Sequence, residues 1–287
     1  MNIHTLHEET NNSNNNNANS QNMQGYSIPA ENNESNSDSD NQIMYRQKKS
    51  CKTFCFVILM VDFSIYLAQI LVFKYKYDSK NWSCLLYKFG AKYTPAIQAE
   101  YQYYRLFTPM LLHASIGHII SNSLSILFIG FYVESIITTR LFIPFYFLAG
   151  LTGNLMSAVF NRKSLSVGAS TCGMGVSGLL LIQYATRLGR MTNDGIIDFL
   201  IYGAITLANA FNIKPDIDCY GHIGGFIFGL AASIWLLENR GLSNILGLGC
   251  IKKLKIISLA VIASIYVIGL GYLFYTQVPK GVPSKIC

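Results

Sequence analysis

Ser170 and His222 occupy the settings in this sequence that most favour chemistry. Ser170 lies in Val167-Gly168-Ala169-Ser170-Thr171-Cys172-Gly173-Met174-Gly175, a stretch dense in small residues that opens an apolar run. In the first turn of a helix the backbone N–H groups lack partners, and the dipole favours negative charge. A serine there serves as a helix cap, or as a nucleophile whose developing oxyanion meets backbone donors. His222 opens another apolar run, Tyr220-Gly221-His222-Ile223-Gly224-Gly225-Phe226. Positions 222, 225 and 229 share one helical face, as do 170, 173 and 177. Small-residue faces let two backbones approach closely, as a Ser–His hydrogen bond of about 2.6–3.2 Å requires. Both runs start on the same side of a membrane, so the two side chains share a depth. An acid orienting the histidine would complete a triad. Asp218 and Asp216 precede His222 closely, though each also reads as a loop or cap residue; a histidine held by packing works in a dyad without either.

The other histidines divide cleanly. His4 and His7 lie in a polar N-terminal stretch, whereas His113 and His118 stand at the start of an apolar run. His118 and Asn122 are one helical turn apart on one face, flanked by Ser121 and Ser125. Such a seam either glues helices by hydrogen bonds or aims donors at an oxyanion. Ionisable groups within apolar helices are costly and point to function. Asp62 is another, for which a hydrogen bond to a neighbouring helix is expected. The seven cysteines are scattered, with no CxxC pair and no zinc spacing. No His-Glu-x-x-His occurs, which excludes that metalloprotease chemistry; no metal and no cofactor is expected.

The elements that must position these residues are apolar helices. Only 13% of the chain is charged, against about 25% in soluble domains. Seven runs suit bilayer crossings: Phe54–Phe73, Ile116–Val133, Leu141–Phe160, Ser170–Ala185, Gly195–Phe211, Tyr220–Leu237 and Ile256–Tyr275. They lack the alternation of barrel strands, so the expected fold is all-α, a polytopic membrane helical bundle. Residues 1–44 are rich in Asn and Ser without Lys or Arg, and read as a disordered cytosolic tail with no cleavable signal. The net charge of +7 gathers at helix ends (Arg46, Lys48, Lys49, Lys52; Lys252, Lys253, Lys255). That pattern fits orientation and anionic lipid rather than nucleic acid. With the N-terminus cytosolic, the aromatic-rich loop Lys74–Ser115 lies on the outer side, half sunk in the interface, and Glu238–Lys255 forms a cytosolic loop.

In these motifs, residues 45–287 resemble the rhomboid family of intramembrane serine proteases. Gly168-Ala169-Ser170-Thr171 is similar to the family's Gly-Ala-Ser-Gly, and Gly221-His222 with Gly225 and Gly229 to its Ala-His-x-x-Gly-x-x-x-Gly. His113, His118 and Asn122 match the second-helix signature. Tyr104-Arg105 stands where Trp-Arg is usual, and Glu134 and Arg140 match the acidic and basic positions of the next turn. The resemblance implies a six-helix catalytic core over 45–237, followed by a cytosolic loop and seventh helix over 238–287. It implies a Ser170–His222 dyad, an oxyanion site of the Ser170 N–H, His118 and Asn122, and supporting roles for His113, Gly168, Arg105, Glu134, Gly225 and Gly229. The implied partners are the lipid bilayer and transmembrane protein substrates such as adhesins, cut near the outer face. The implied location is the secretory pathway or plasma membrane. The loop 74–115 and the fifth helix are expected to gate access. Thr171 replaces a glycine and is expected to narrow the site; with the Asn-rich N-terminus it is similar to apicomplexan members. Met174 stands where an aromatic often packs beneath the histidine. Rival readings are an inactive rhomboid-like factor that binds membrane proteins, which the intact Ser170 and His222 disfavour, and a small transporter, disfavoured because the polar residues gather at one depth.

Overall fold

The computed structural model describes residues 54–76, 81–213, 217–238, 241–276 and 286–287. The N-terminal tail, the Arg46–Lys52 basic cluster and Asp216 lie outside the described residues. The protein is all-α and polytopic. Helix α1 (Phe54–Lys76) leads into the loop that the sequence places on the outer side, here termed the outer loop, built from α2 (Trp82–Phe89), α3 (Thr94–Ala99) and two 3-10 turns, Tyr103–Leu106 and Thr108–Leu111. Helix α4 (Ile116–Ser125) continues through a π turn, Ile126–Gly130, into α5 (Phe131–Ile137). Then follow α6 (Thr139–Phe160), α7 (Ser170–Ala185), α8 (Asn193–Ala210), α9 (Cys219–Leu236), the short α10 (Leu242–Leu246) and α11 (Leu248–Tyr275).

Among the described residues five spans are long and apolar enough to cross a membrane: 54–75, 116–137, 139–160, 219–236 and 248–275. They differ in what they face. α1 and α11 present Phe56, Val57, Met60, Ile256, Val267 and Ile268 outward, as lipid-facing helices do. α6 buries both edges, with Phe142, Ala149, Thr152, Ser157 and Ala158 fully enclosed. α7 is central too. Its 16 residues reach about 24 Å, short of a hydrocarbon core of roughly 30 Å.

Three features depart from the sequence reading. α11 begins at Leu248 instead of Ile256, so Lys252, Lys253 and Lys255 sit on its first turns and not in a loop. Lys255 pairs with Glu238 and lies over the Trp235 ring, which holds that end of α11 against α9. Asp62 is buried, yet its Oδ1 lacks the expected hydrogen bond among the described residues. The third departure is a disulfide joining Cys84 of α2 to Cys287, 203 residues away. Asn81 Nδ2 donates to Ile286 O beside it at 3.0 Å. Gln98 of α3 reaches Thr276 Oγ1 at 2.6 Å, so the outer loop is tied through α2 to residues 286–287 and through α3 to the far end of α11.

The outer loop is packed more deeply than its aromatic content implied. Leu85, Ala91 and Ile97 are wholly buried. Arg105 is enclosed as well. Its Nη1 donates to Tyr87 O at 2.7 Å and Ala91 O at 2.8 Å, and its guanidinium stacks 4.1 Å over the Tyr87 ring. Glu134 does comparable work at the opposite face of the bundle. It accepts from Phe54 N at 2.8 Å, Cys55 N at 2.9 Å and Thr139 Oγ1 at 2.6 Å, satisfying orphan donors at the start of α1. Arg140 is exposed.

Candidate active site

Two glycine-lined helices bring the candidate pair together. A Cβ added at Gly225 or Gly229 of α9 would overlap the carbonyl oxygens of Thr171 or Gly175 of α7. One at Gly178 would lie 2.8 Å from Phe226 O. The backbones therefore touch directly, which only glycine allows here. The contacting face of α7 runs through Thr171, Gly175 and Gly178, a correction to the expected 170–173–177 face: Gly173 looks toward Ser125 of α4 instead.

At the shared end of this contact, His222 Nε2 lies 2.9 Å from Ser170 Oγ. The other ring nitrogen, Nδ1, lies 3.1 Å from the backbone carbonyl of Asn209 at the end of α8. A carbonyl oxygen only accepts. That bond therefore puts the proton on Nδ1 and leaves a lone pair on Nε2 facing the Ser170 hydroxyl. The N-cap of α7 is Ala169, and Ser170 is its first helical residue, so Ser170 is not the cap and its hydroxyl meets His222 instead. The N–H groups of this first turn have no intrahelical acceptors.

Gly168 prepares this turn. Its φ of +132° is a conformation that side-chain-bearing residues rarely adopt. A Cβ there would also meet His118 Cε1 at 2.6 Å and Nε2 at 2.7 Å. The His118 ring thus lies against the Gly168 backbone, next to Ser170. Ala114 N donates to His118 Nδ1 at 3.4 Å. A backbone N–H only donates, so Nδ1 carries the lone pair and Nε2 carries a hydrogen that faces the site. Asn122 is placed less directly: its Nδ2 donates to His118 O at 3.1 Å, on its own helix. The amide keeps a second N–H. His113 is fully buried, edge-on to His118 with ring centroids 5.4 Å apart, and neither of its ring nitrogens has a partner among the described residues. Burial, and then the neighbouring His118, push its pKa down to about 3, so His113 is neutral.

Asp218 does not orient His222. It caps α9 by accepting from Gly221 N at 3.2 Å, and it accepts from the hydroxyls of Ser157 on α6 and Ser166 in the loop before Ser170. Burial opposes its ionisation, but the charge of Lys92 and these hydrogen bonds more than offset it and hold the carboxyl below its usual range. Lys92 is itself enclosed. Its Nζ donates to Asn161 O at 2.8 Å and Ser164 O at 3.1 Å, and its backbone bridges to Ser166. Burial brings its pKa down to about 8, with Asp218 acting the other way. One buried cluster thus fixes the loop before Ser170, the start of α9 and the outer loop.

Thr171 also differs from expectation. Thr171 does not narrow the site mouth; it is buried against the positions of Gly153 and Gly221, between α6 and α9. Met174 packs with Ala210 and Phe226 in a small apolar cluster joining α7, α8 and α9. Sequence reasoning missed Lys92 and the Asn209 carbonyl. A fully buried lysine leaves no spacing signature, and a backbone acceptor leaves none at all.

Comparison with known proteins gives this arrangement its class. Residues 100–239, which hold every histidine of the site together with Ser170 and Asn122, match the rhomboid domain. Rhomboid-like protease 3 of Toxoplasma gondii is 34% identical over 144 residues, 50% of this chain and 54% of that protein. RHOMBOID-like protein 1 of Arabidopsis thaliana is 33% identical over 159 residues, 55% of this chain and 41% of that protein. Rhomboid protease GluP of Bacillus subtilis is 30% identical over 233 residues, 81% of this chain and 42% of that protein. The chain spans about half the length of the curated relatives it matches. With its all-α bundle of membrane-length helices, the chain carries a match to the rhomboid domain over residues 100–239 and is similar to rhomboid-like proteins.

Proposed function

We propose that this protein is an intramembrane serine endopeptidase that cleaves transmembrane segments of other membrane proteins near the outer face of the bilayer. The observation that carries the reading is the 2.9 Å Ser170 Oγ–His222 Nε2 contact, with Nδ1 held in the protonated tautomer by a carbonyl. Ser170 Oγ attacks the scissile carbonyl as Nε2 takes its proton. The tetrahedral oxyanion is met by the free Ser170 N–H, the His118 Nε2–H and the second Asn122 N–H. Collapse of the intermediate breaks the C–N bond, and the His222 proton goes to the leaving amine. Water, deprotonated by the same Nε2, then attacks the acyl ester and releases the new carboxylate. The relatives' names as proteases support this chemistry.

The catalytic core comprises the described bundle through α9, with α11 as an addition to it. Gly168, Gly225 and Gly229 serve by close approach; His113, Arg105 and Glu134 serve by holding the His118 end, the outer loop and α1. The Cys84–Cys287 disulfide supports an oxidising compartment on the site's side, hence a secretory-pathway or surface membrane with the N-terminus cytosolic. Co-expression with a type I membrane substrate tests the reading. The wild type releases the substrate ectodomain and Ser170→Ala does not; undiminished release by Ser170→Ala sinks the assignment.

A further inference from the structure

Among the described residues no acid meets the dyad, and His222 still has a third partner. Its Nδ1 meets the carbonyl of Asn209 at 3.1 Å. Asn209 is in the last turn of α8, which ends at Ala210. The final four carbonyls of a helix have no intrahelical acceptor role to fill, and they form the negative pole of its dipole. This carbonyl is therefore free to accept from His222, and it sits where a helix favours positive charge. Imidazolium forms at that place when Ser170 gives up its proton.

The same turn is the part of α8 anchored to the bundle. Within α8 only Thr206 and Ala210 are buried. Ala210, adjacent to Asn209, packs with Met174 of α7 and Phe226 of α9. The contacts of Ala210, next to the carbonyl, thus come from the two helices that carry Ser170 and His222. The placement is held by packing at the point where it is used.

We propose, building on the dyad reading above, that the C-terminal turn of α8 performs the work a triad acid performs elsewhere. The Asn209 carbonyl acts as a positioning group that fixes the tautomer and ring orientation of His222, and the helix terminus stabilises the imidazolium in the transition state. No bond to Asn209 is made or broken. The proton on Nδ1 stays there throughout, and the catalytic proton shuttles only through Nε2.

The carbonyl can be weakened without touching any side chain. Replacing Ala210 by lactic acid during cell-free synthesis converts the Asn209–Ala210 amide to an ester, whose carbonyl is a poorer acceptor. The α-hydroxy analogue of leucine at Leu207 is the matched control: it also removes one helical N–H but leaves the Asn209 carbonyl intact. The expected result is a kcat about fivefold lower for the 210 ester with KM unchanged, and a kcat within about twofold of wild type for the 207 ester. Independently, ¹⁵N spectra of ring-labelled wild-type protein, with the His222 signals assigned by their loss in His222→Ala, show the Nδ1–H tautomer. The inference is overturned by an Nε2–H tautomer in wild type, by an unimpaired 210 ester, or by equal losses in both esters. Failure of the wild type to react with a serine-directed fluorophosphonate overturns the dyad reading, and this inference with it. Labelling of the wild type alongside an unimpaired 210 ester overturns this inference alone.

Discussion

Substituting Gly225 with alanine adds one methyl group at the tightest point between α7 and α9. That methyl would overlap Thr171 O and lie 3.0 Å from Thr171 C, both backbone atoms with no side-chain freedom to yield. Ordinary contact begins at 3.4 Å, so the helices must part by about 1 Å, a displacement that alone costs about 100-fold when it misplaces reacting groups. Ser170 Oγ and His222 Nε2 sit 2.9 Å apart across this seam. The same separation would take them outside hydrogen-bond range. Overpacking of this kind costs about 1–3 kcal/mol, which a folded bundle tolerates. The expected outcome is a folded protein in detergent whose cleavage of a transmembrane substrate, and whose fluorophosphonate labelling rate, each fall about 100-fold. Gly271→Ala is the control, since nothing lies within 4 Å of its added carbon, and it keeps wild-type rates. Gly225→Ala protein labelling at the wild-type rate would refute the claim that backbone contact sets the Ser–His distance.

Three further outcomes follow from buried groups and ties. His113 has a folded-state pKa of about 3 against an ordinary 6.5, so the unfolded chain binds a proton the folded one refuses; stability is full above about 6.5 and is lost as pH falls from there toward 3, and His113→Leu flattens that loss in a thermal-melt series. Asp218→Ala removes the α9 cap, frees Ser157 and Ser166, and leaves Lys92 without its nearest negative charge; the expected loss is about 3 kcal/mol, read as a lower Tm, with Asp218→Asn recovering part of it because an amide still caps. Reducing Cys84–Cys287, or replacing Cys84 by Ser, lowers stability by about 2 kcal/mol and changes mobility on a non-reducing gel, whereas identical mobility with and without reductant would count against the disulfide.

How much of this was legible in the sequence depended on whether a feature leaves a side-chain pattern. Ser170 and His222 did, because each opens an apolar run among glycines, and shared helix polarity put them at one depth. The helices themselves were readable within a few residues, except where polar residues continue a helix: Lys252, Lys253 and Lys255 read as a loop, but α11 already runs through them. The contacting face of α7 was misjudged because Gly173 and Gly175 look alike as small residues; only the crossing angle decides which one meets α9. Asp218 was readable as a cap but not as the hub joining Ser157, Ser166 and Lys92, since those partners come from distant segments. Cys84 and Cys287 are isolated in sequence, so no spacing announced their bond. Asn209 contributes through its backbone, where its residue type is silent.

Mass spectrometry of the protein after reaction with a fluorophosphonate tests the central claim most directly. The account predicts a single active-site adduct on the peptide carrying Ser170, absent from Ser170→Ala and reduced to background in His222→Ala, because Oγ is a nucleophile only while Nε2 takes its proton. An adduct on another serine, or on Ser170 at an undiminished rate in His222→Ala, would contradict it.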